Sequence, residues 1–157
     1  MSAAPVTPFH RILVAWDASP AARTALTTAM AIAHGKGLVI ARAVLTPPQH
    51  TETGGEQSRD LGSRRVWLQD QFDHALDTSS HHGARVRLEW GESNDIPTDL
   101  CAHAERHGCD LIVLGRHGDD SRLRTAGLGP VAQAVSARSA LPVLLVSTPR
   151  GAEPGQP

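Results

Sequence analysis

The segment Asp110-Leu-Ile-Val-Leu-Gly-Arg-His-Gly118 contains four consecutive large apolar residues, preceded by an aspartate and followed by a glycine-rich turn. A short, continuous apolar run of this kind is typical of a strand buried on both faces, as in a parallel sheet. Residues 11–16, Arg-Ile-Leu-Val-Ala-Trp, have the same character. The sequence therefore predicts two interior strands, over 11–16 and 110–115.

Helices and strands alternate along the rest of the chain. Ser19 is a suitable N-cap for the first helix, and Pro20 suits its first helical position. Pro130 can begin a later helix in the same way. Either Ser93 or Asn94 can cap the third helix. Helices are predicted over 20–34, 58–80, 93–108 and 130–139, and further strands over 38–45, 85–90 and 141–147.

This alternation determines the fold class. Strands that are joined through helices require right-handed crossovers, which predicts an α/β fold with one open, five-stranded parallel sheet and helices on both faces. The 85–90 segment alternates polar and apolar residues, so it is expected at an edge, whereas the 110–115 strand is expected at the centre. Sheets of this kind bind ligands beyond the carboxyl ends of their strands.

Composition limits the function classes. A chain of 157 residues with a hydrophobic share of 40% can build one domain with one sizeable core. The chain has 15 Lys and Arg and 16 Asp and Glu, so its net charge is close to zero. We therefore expect no broad basic surface and no nucleic-acid partner. The longest apolar runs are far shorter than the roughly 20 residues that span a bilayer, so no membrane association is expected.

The predicted organisation is a flexible segment over 1–9, a folded domain over 10–148 and a disordered tail over 149–157. Residues 1–10 lack a basic segment followed by an apolar core, so a cytoplasmic location is expected.

Cys101 and Cys109 are too few for a disulfide framework and are expected to remain thiols. The polar 46–57 loop is the segment most expected to move.

Groups suited to binding an anion follow the two most apolar strands. Asp17 comes directly after the 11–16 strand, and Gly115 and Gly118 flank the turn after the 110–115 strand. Glycines let backbone amides approach an anion closely, and Gly129 precedes a helix whose first amides favour phosphate. These features predict a nucleotide site at the carboxyl edge of the sheet.

Three separated segments resemble the universal stress protein family. They are Val-Ala-Trp-Asp-Ala-Ser over 14–19, the 110–118 segment quoted above, and Gly-Pro-Val-Ala-Gln-Ala-Val over 129–135 leading into Pro-Val-Leu-Leu-Val over 142–146. The resemblance is specific because the three segments occur in the family's order and spacing, and it covers the whole folded region.

The resemblance implies a Rossmann-like sheet of the adenine nucleotide alpha hydrolase type, homodimers paired through the last strand and, in one branch of the family, a site for ATP or AMP with Mg²⁺. By similarity, Asp17 would hold a ribose hydroxyl or a metal, and Ala43 would offer backbone groups to adenine. Arg42 stands where the family commonly has His. The residues implied around the nucleotide are Ala15, Asp17, Ala43, Leu114, Gly115, His117, Gly118, Gly129, Pro130 and Val131.

The chain departs from the family's ATP-binding pattern at its last glycine. That pattern has nine residues before the last glycine and Ser or Thr after it, whereas here ten residues, 119–128, precede Gly129 and Pro130 follows it. Proline supplies neither a hydroxyl nor a backbone N–H, so phosphate binding should be weaker. Arg122 and Arg124 lie in the same loop and could compensate.

Each candidate residue also has a purely structural interpretation. Asp17 could cap the first helix, and Gly115 could serve only to turn the chain. Gly129 with Pro130 is a complete helix start without any ligand. No neighbouring residue in the sequence would make His117 an acid or base, so no catalytic residue is predicted.

A second group of potential ligands suggests zinc only weakly. His103 and His107 share one helical face, but Cys101 projects about 160° away from His103, since an α-helix turns 3.6 residues per turn. Cys109 follows Gly108 and is expected to pack as a small hydrophobic residue. No metal site is predicted here.

Two hypotheses for function remain open. The first is a stress-response sensor or regulator that binds an adenine nucleotide and orders the 116–128 loop. The second is a nucleotide-independent homodimeric interaction module with a degraded site, which the departures at 119–128 and Pro130 favour. An adenylating enzyme would need a phosphate-binding signature after the first strand, and the segment 17–20 does not supply one.

Overall fold

The computed structural model describes residues 9–33, 35–47, 54–80, 82–117 and 127–148, with backbone only for 54–59. The strands and helices of these residues alternate strictly. In chain order they are β1 (Arg11–Ala15), α1 (Pro20–Ile32), β2 (Leu38–Leu45), α2 (Gly54–Asp77), β3 (Arg85–Glu92), α3 (Ile96–Arg106), β4 (Leu111–Gly115), α4 (Pro130–Arg138) and β5 (Val143–Val146). Residues 1–8 of the predicted 1–9 segment, the predicted tail 149–157 and most of the 116–128 loop lie outside the described residues.

The five strands form one parallel sheet in the order β3-β2-β1-β4-β5. The predicted α/β class and the edge position of β3 are confirmed. The prediction that the 110–115 strand is central was wrong, because β1 takes the middle and β4 lies beside it. Both strands are interior and are covered by helices on both faces of the sheet. This explains why each contains a continuous apolar run.

The two faces of the sheet bury separate apolar clusters. Ile12 and Val14 of β1 point to the face covered by α1 and α2, where Phe72 packs. Leu13 points to the opposite face, where Leu100 of α3 packs. Successive side chains of a strand alternate between faces, so one strand contributes to both clusters and ties the layers together.

The helix starts follow local capping chemistry. Ser19 caps α1 as predicted, its Oγ accepting the N–H of Ala22 at 3.1 Å. Neither Ser93 nor Asn94 caps α3. Asp95 does so by accepting the N–H of Thr98 at 3.2 Å, while the Ser93 hydroxyl accepts the N–H of Asp95 in the preceding turn.

Helix α2 begins at Gly54 rather than near residue 58, so part of the predicted 46–57 loop is helical. Residues 48–53 of that loop lie outside the described part of the chain. No helix among the described residues is both long enough and apolar enough to cross a membrane.

Candidate functional site

A cavity of about 320 Å³ opens at the carboxyl edge of the sheet, between the ends of β1 and β4. The chain leaves β1 through α1 towards β2, and it leaves β4 through α4 towards β5. The connections therefore diverge at this point, which is the switch point where doubly wound sheets bind ligands. Its volume falls at the lower end of the range for small-molecule sites.

Most of the sequence-predicted site residues meet in this cavity. The eight that line it are Ala15, Asp17, Leu114, Gly115, His117, Gly129, Pro130 and Val131. Ala43 does not line it, because its fully buried side chain belongs to the cluster under α1 and α2, while Arg42 and Val44 line the cavity instead. Gly118 lies outside the described residues.

Asp17 is held at the cavity by a local turn. Its Oδ1 accepts the backbone N–H of Ser19 at 2.9 Å, so it fixes the residue that caps α1 and is not itself the cap. Between them, Ala18 adopts a φ of +64°, which is costly for a residue with a Cβ. Such strain persists where surrounding structure enforces it, and it often accompanies function.

Gly115 is required by packing. A Cβ added there would lie 2.5 Å from the Cβ of Ala21 and 3.1 Å from the carbonyl oxygen of His117. The N-terminal turn of α1 thus lies directly against the end of β4. This close approach gives the glycine a structural role that exists whether or not a ligand binds.

The start of α4 offers fewer donors than an ordinary helix. The N-cap Gly129 has no side chain to cap the helix, and its own N–H donates to the carbonyl oxygen of Arg116 at 2.6 Å. Pro130 has no N–H to give. The first-turn amides that remain for a ligand are those of Val131 and Ala132, which both line the cavity.

Two arginines line the cavity, and they differ in what they can offer. Buried Arg42 donates to both carboxylate oxygens of Asp99, at 2.9 and 3.0 Å, and to the carbonyl oxygen of Trp90 at 2.6 Å. Arg116 donates to the Ser147 hydroxyl at 3.3 Å, and no carboxylate among the described residues pairs with it. Within the described part of the chain, Arg116 is therefore the cation available to an anionic ligand.

His117 adds an unsatisfied polar atom to the cavity wall. Its Nδ1 is buried and has no hydrogen-bond partner among the described residues. Buried polar atoms are usually paired, so this nitrogen is one to which a ligand could bond. Sequence reasoning missed Arg116, although the residue stands between the predicted Gly115 and His117 in the same turn.

The cavity adjoins a wider groove on the α2 side. The groove shares Asp17, Val44 and Ile96 with the cavity, and it reaches Asp60 and Trp67. A ligand in the cavity could thus extend along the groove past Asp17.

Cys101, His103, His107 and Cys109 do not form one site in the structure: the two histidines lie together, and Cys109 packs in the core. The rings of His103 and His107 lie with centroids 4.1 Å apart. Burial raises the pKa of Cys109 to about 11, and burial also raises the pKa of Cys101. Cys109 packs in the core under α3, as predicted, and both thiols stay protonated at neutral pH.

A family model described as the universal stress protein family matches residues 8–147. Among solved structures, UspA from Lactobacillus plantarum aligns with a TM-score of 0.72 at 24% identity, covering 88% of this chain and 97% of that one. A universal stress protein in complex with cAMP has a TM-score of 0.60 at 20% identity, covering 90% and 99%. A family member from Arabidopsis thaliana with AMP bound has a TM-score of 0.60 at 16% identity, covering 93% and 97%.

At these identities the structural likeness shows a shared fold. No curated protein matches the chain by sequence.

Proposed function

This chain belongs to the universal stress protein family, and we propose that it is a cytoplasmic regulator that binds an adenine nucleotide in the cavity between β1 and β4. The observation that carries the proposal is the set of groups in the cavity wall. Apolar residues, Asp17, Arg116 and the start of α4 all line one space. Two proteins of the same fold are described with AMP and with cAMP bound, which supports this ligand class.

The residues that line the cavity suggest where the base, the ribose and the phosphate of a nucleotide would bind. Apolar side chains such as Val44, Ile96 and Leu114 suit a planar base. The Oδ2 atom of Asp17 can accept a ribose hydroxyl while Oδ1 keeps its bond to Ser19. Arg116 and the N-terminus of α4 suit a phosphate group.

These donors favour a single phosphate. Pro130 has no N–H, and the Gly129 N–H is already bonded to the Arg116 carbonyl oxygen. We therefore propose AMP as the preferred ligand, with ATP and Mg²⁺ binding more weakly.

We propose a binding role rather than an enzymatic one. General acid–base chemistry needs a proton-transferring group that is oriented by a partner. In the described cavity, the Nδ1 of His117 has no such partner and the Oδ1 of Asp17 is occupied by Ser19. A regulator needs only that the ligand favour one conformation over another.

The nucleotide proposal predicts that Arg116→Gln weakens AMP binding by about 10- to 100-fold, because one charge-assisted hydrogen bond contributes roughly 1.5–3 kcal/mol. Asp17→Asn should weaken binding of AMP and of adenosine alike, since it changes the ribose contact. Arg116→Gln should leave adenosine binding nearly unchanged. Isothermal titration with AMP, ATP plus Mg²⁺ and adenosine measures all three effects.

The matched control is Arg106→Gln, which removes the same charge from an exposed helix residue. Among the described residues, its side chain donates to the carbonyl oxygen of Ala102 alone. It should bind AMP as the native chain does. Equal losses in both variants would reveal an effect of net charge alone. No measurable binding of any adenine nucleotide at millimolar concentration would overturn the proposal.

The second candidate function, a homodimeric interaction module that works without nucleotide, is favoured by the missing donors at Gly129 and Pro130. Both candidates include a dimer through β5. This strand lies at the sheet edge, and its Leu144 is 36% exposed. An unpaired edge with an exposed large hydrophobic residue is a surface that can pair with a second copy.

The dimer proposal predicts about twice the monomer mass of 16.7 kDa by light scattering at micromolar concentration. Leu144→Lys places a charge at the centre of the expected contact and should yield a monomer that keeps the native circular dichroism. Val66→Lys is the control, since Val66 is exposed on α2, away from the β5 edge. A monomeric native chain would refute the dimer.

A further inference from the structure

Glu89, His103 and His107 form a second polar cluster, and none of the three lines the nucleotide cavity. Glu89 belongs to the edge strand β3. His103 is in the last turn of α3, and His107 is the C-cap of that helix. One potential ligand atom from each residue lies within 4.8 Å of the other two.

The contacts in this cluster converge on one carboxylate oxygen. The Nε2 of His103 is bonded to the Oε2 of Glu89. The Nε2 of His107 lies 4.0 Å from the same oxygen. The two histidines stand four residues apart at the end of one helix, which places their rings side by side.

The three side chains of the cluster differ in their exposure to solvent. The side chain of His107 is 37% exposed and that of Glu89 is 21% exposed, whereas that of His103 is 6% exposed. His103 is therefore the inner residue of the cluster and His107 the outer one. Solvent reaches it on the His107 side, which gives an ion a route of entry.

The hydrogen bond inside the cluster is one that a metal ion can replace. The Nε2 of His103 and the Oε2 of Glu89 share a proton in this bond, so an ion that binds both atoms must displace that proton. Metal sites bind neutral imidazole and ionised carboxylate, and such sites release protons when the metal binds.

The charged neighbours do not occupy the Oε2 of Glu89, so its only competitor for an ion among the described contacts is the bond to His103. Arg87 contacts the other carboxylate oxygen, Oε1, at 2.7 Å, which orients Glu89 as outer partners of metal ligands commonly do. Arg42 is neutralised by its bidentate pair with Asp99. Cys109, whose pKa is raised to about 11, stays a neutral thiol.

We propose that Glu89, His103 and His107 bind a divalent transition-metal ion, with Zn²⁺ the representative case, and leave a fourth position open to water. Two imidazoles and one carboxylate form a ligand set that zinc uses in proteins, and imidazole also suits nickel and copper. Metal–ligand distances of ~2.0–2.2 Å require the ligand atoms to draw closer, which rotation of the partly exposed His107 side chain would achieve. The ion would fasten the edge strand β3 to α3.

The test is titration of the apo chain with ZnCl₂ by calorimetry, with thermal unfolding followed in parallel. We expect one ion per chain and a rise in melting temperature of about 5–10 °C at Zn²⁺ a hundred times above Kd. Co²⁺ substitution should give the visible absorption of a tetrahedral site. Glu89→Gln and His107→Ala should each weaken binding at least about tenfold and abolish that absorption.

Glu89→Gln keeps a hydrogen-bond acceptor for His103, so its circular dichroism should show a native fold. His74→Ala is the matched control, because His74 lies exposed in the last turn of α2, outside the cluster. The chain has nine histidines, so adventitious binding is a real alternative outcome. Weak binding of several ions that is equal in all three variants, or an unchanged melting temperature, would overturn the proposal.

Discussion

Arg42→Met is expected to lower the free energy of unfolding by about 3–5 kcal/mol, because it leaves the Asp99 carboxylate buried without its counter-charge. The two side chains are only 9% and 11% exposed, and two parallel hydrogen bonds join them. The substitution also strips the Trp90 carbonyl of its bond from the guanidinium. Urea unfolding followed by circular dichroism measures the loss.

A second substitution can displace the guanidinium of Arg42, because Gly91 lies directly against it. A Cβ added at Gly91 would lie 2.6 Å from the Cζ of Arg42. Gly91→Ala should therefore displace the guanidinium from Asp99 and reproduce part of the Arg42→Met loss. The two substitutions should be less than additive, since each removes the same ion pair.

The matched control is Arg138→Met, which breaks an Arg–Asp pair of similar length whose side chains are 51% and 54% exposed. An exposed pair contributes at most about 1 kcal/mol, so this variant should stay close to the native stability. Arg42→Met combined with Asp99→Leu should recover much of the loss, because both charges are then gone. Equal effects of the two arginine substitutions would contradict the expected role of burial.

The fold was largely predictable because its strongest signals are local. The runs at 12–16 and 111–114 are continuous and apolar, and strand β2 has the predicted bounds, 38–45. Parallel strands that are buried on both faces need such runs. The position of each strand in the sheet follows from long-range packing, so the sequence did not reveal that β1, and not β4, is central.

The site was less predictable because it depends on side-chain direction and on distant partners. The resemblance assigned Ala43 a contact through its backbone, which side-chain direction does not test. The side chains that line the cavity from this strand belong to Arg42 and Val44, because alternate residues of a strand share one face. Arg42 pairs with Asp99, which is 57 residues away in the chain. No local spacing encodes such a pair, and the same holds for Glu89 beside His103.

Gly115→Val is expected to destabilise the fold by about 1–3 kcal/mol and to weaken AMP binding, because its side chain must displace the start of α1. Even a single methyl group would lie 2.5 Å from the Cβ of Ala21. The same turn of α1 follows Asp17 and Ser19 in the cavity wall, so a shift there disturbs the expected ribose contact. Thermal unfolding and AMP titration measure the two effects separately.

A double-mutant cycle with Gly115→Ala and Ala21→Gly identifies the cause of the requirement for glycine. Ala21→Gly alone should cost at most about 1 kcal/mol, the penalty for glycine in a helix. If the two Cβ atoms conflict, the double variant should lose less stability than the sum of the single variants, because the space vacated at residue 21 accepts the new methyl group. Additive losses would instead assign the requirement to the turn itself, where the His117 carbonyl lies 3.1 Å from the added Cβ.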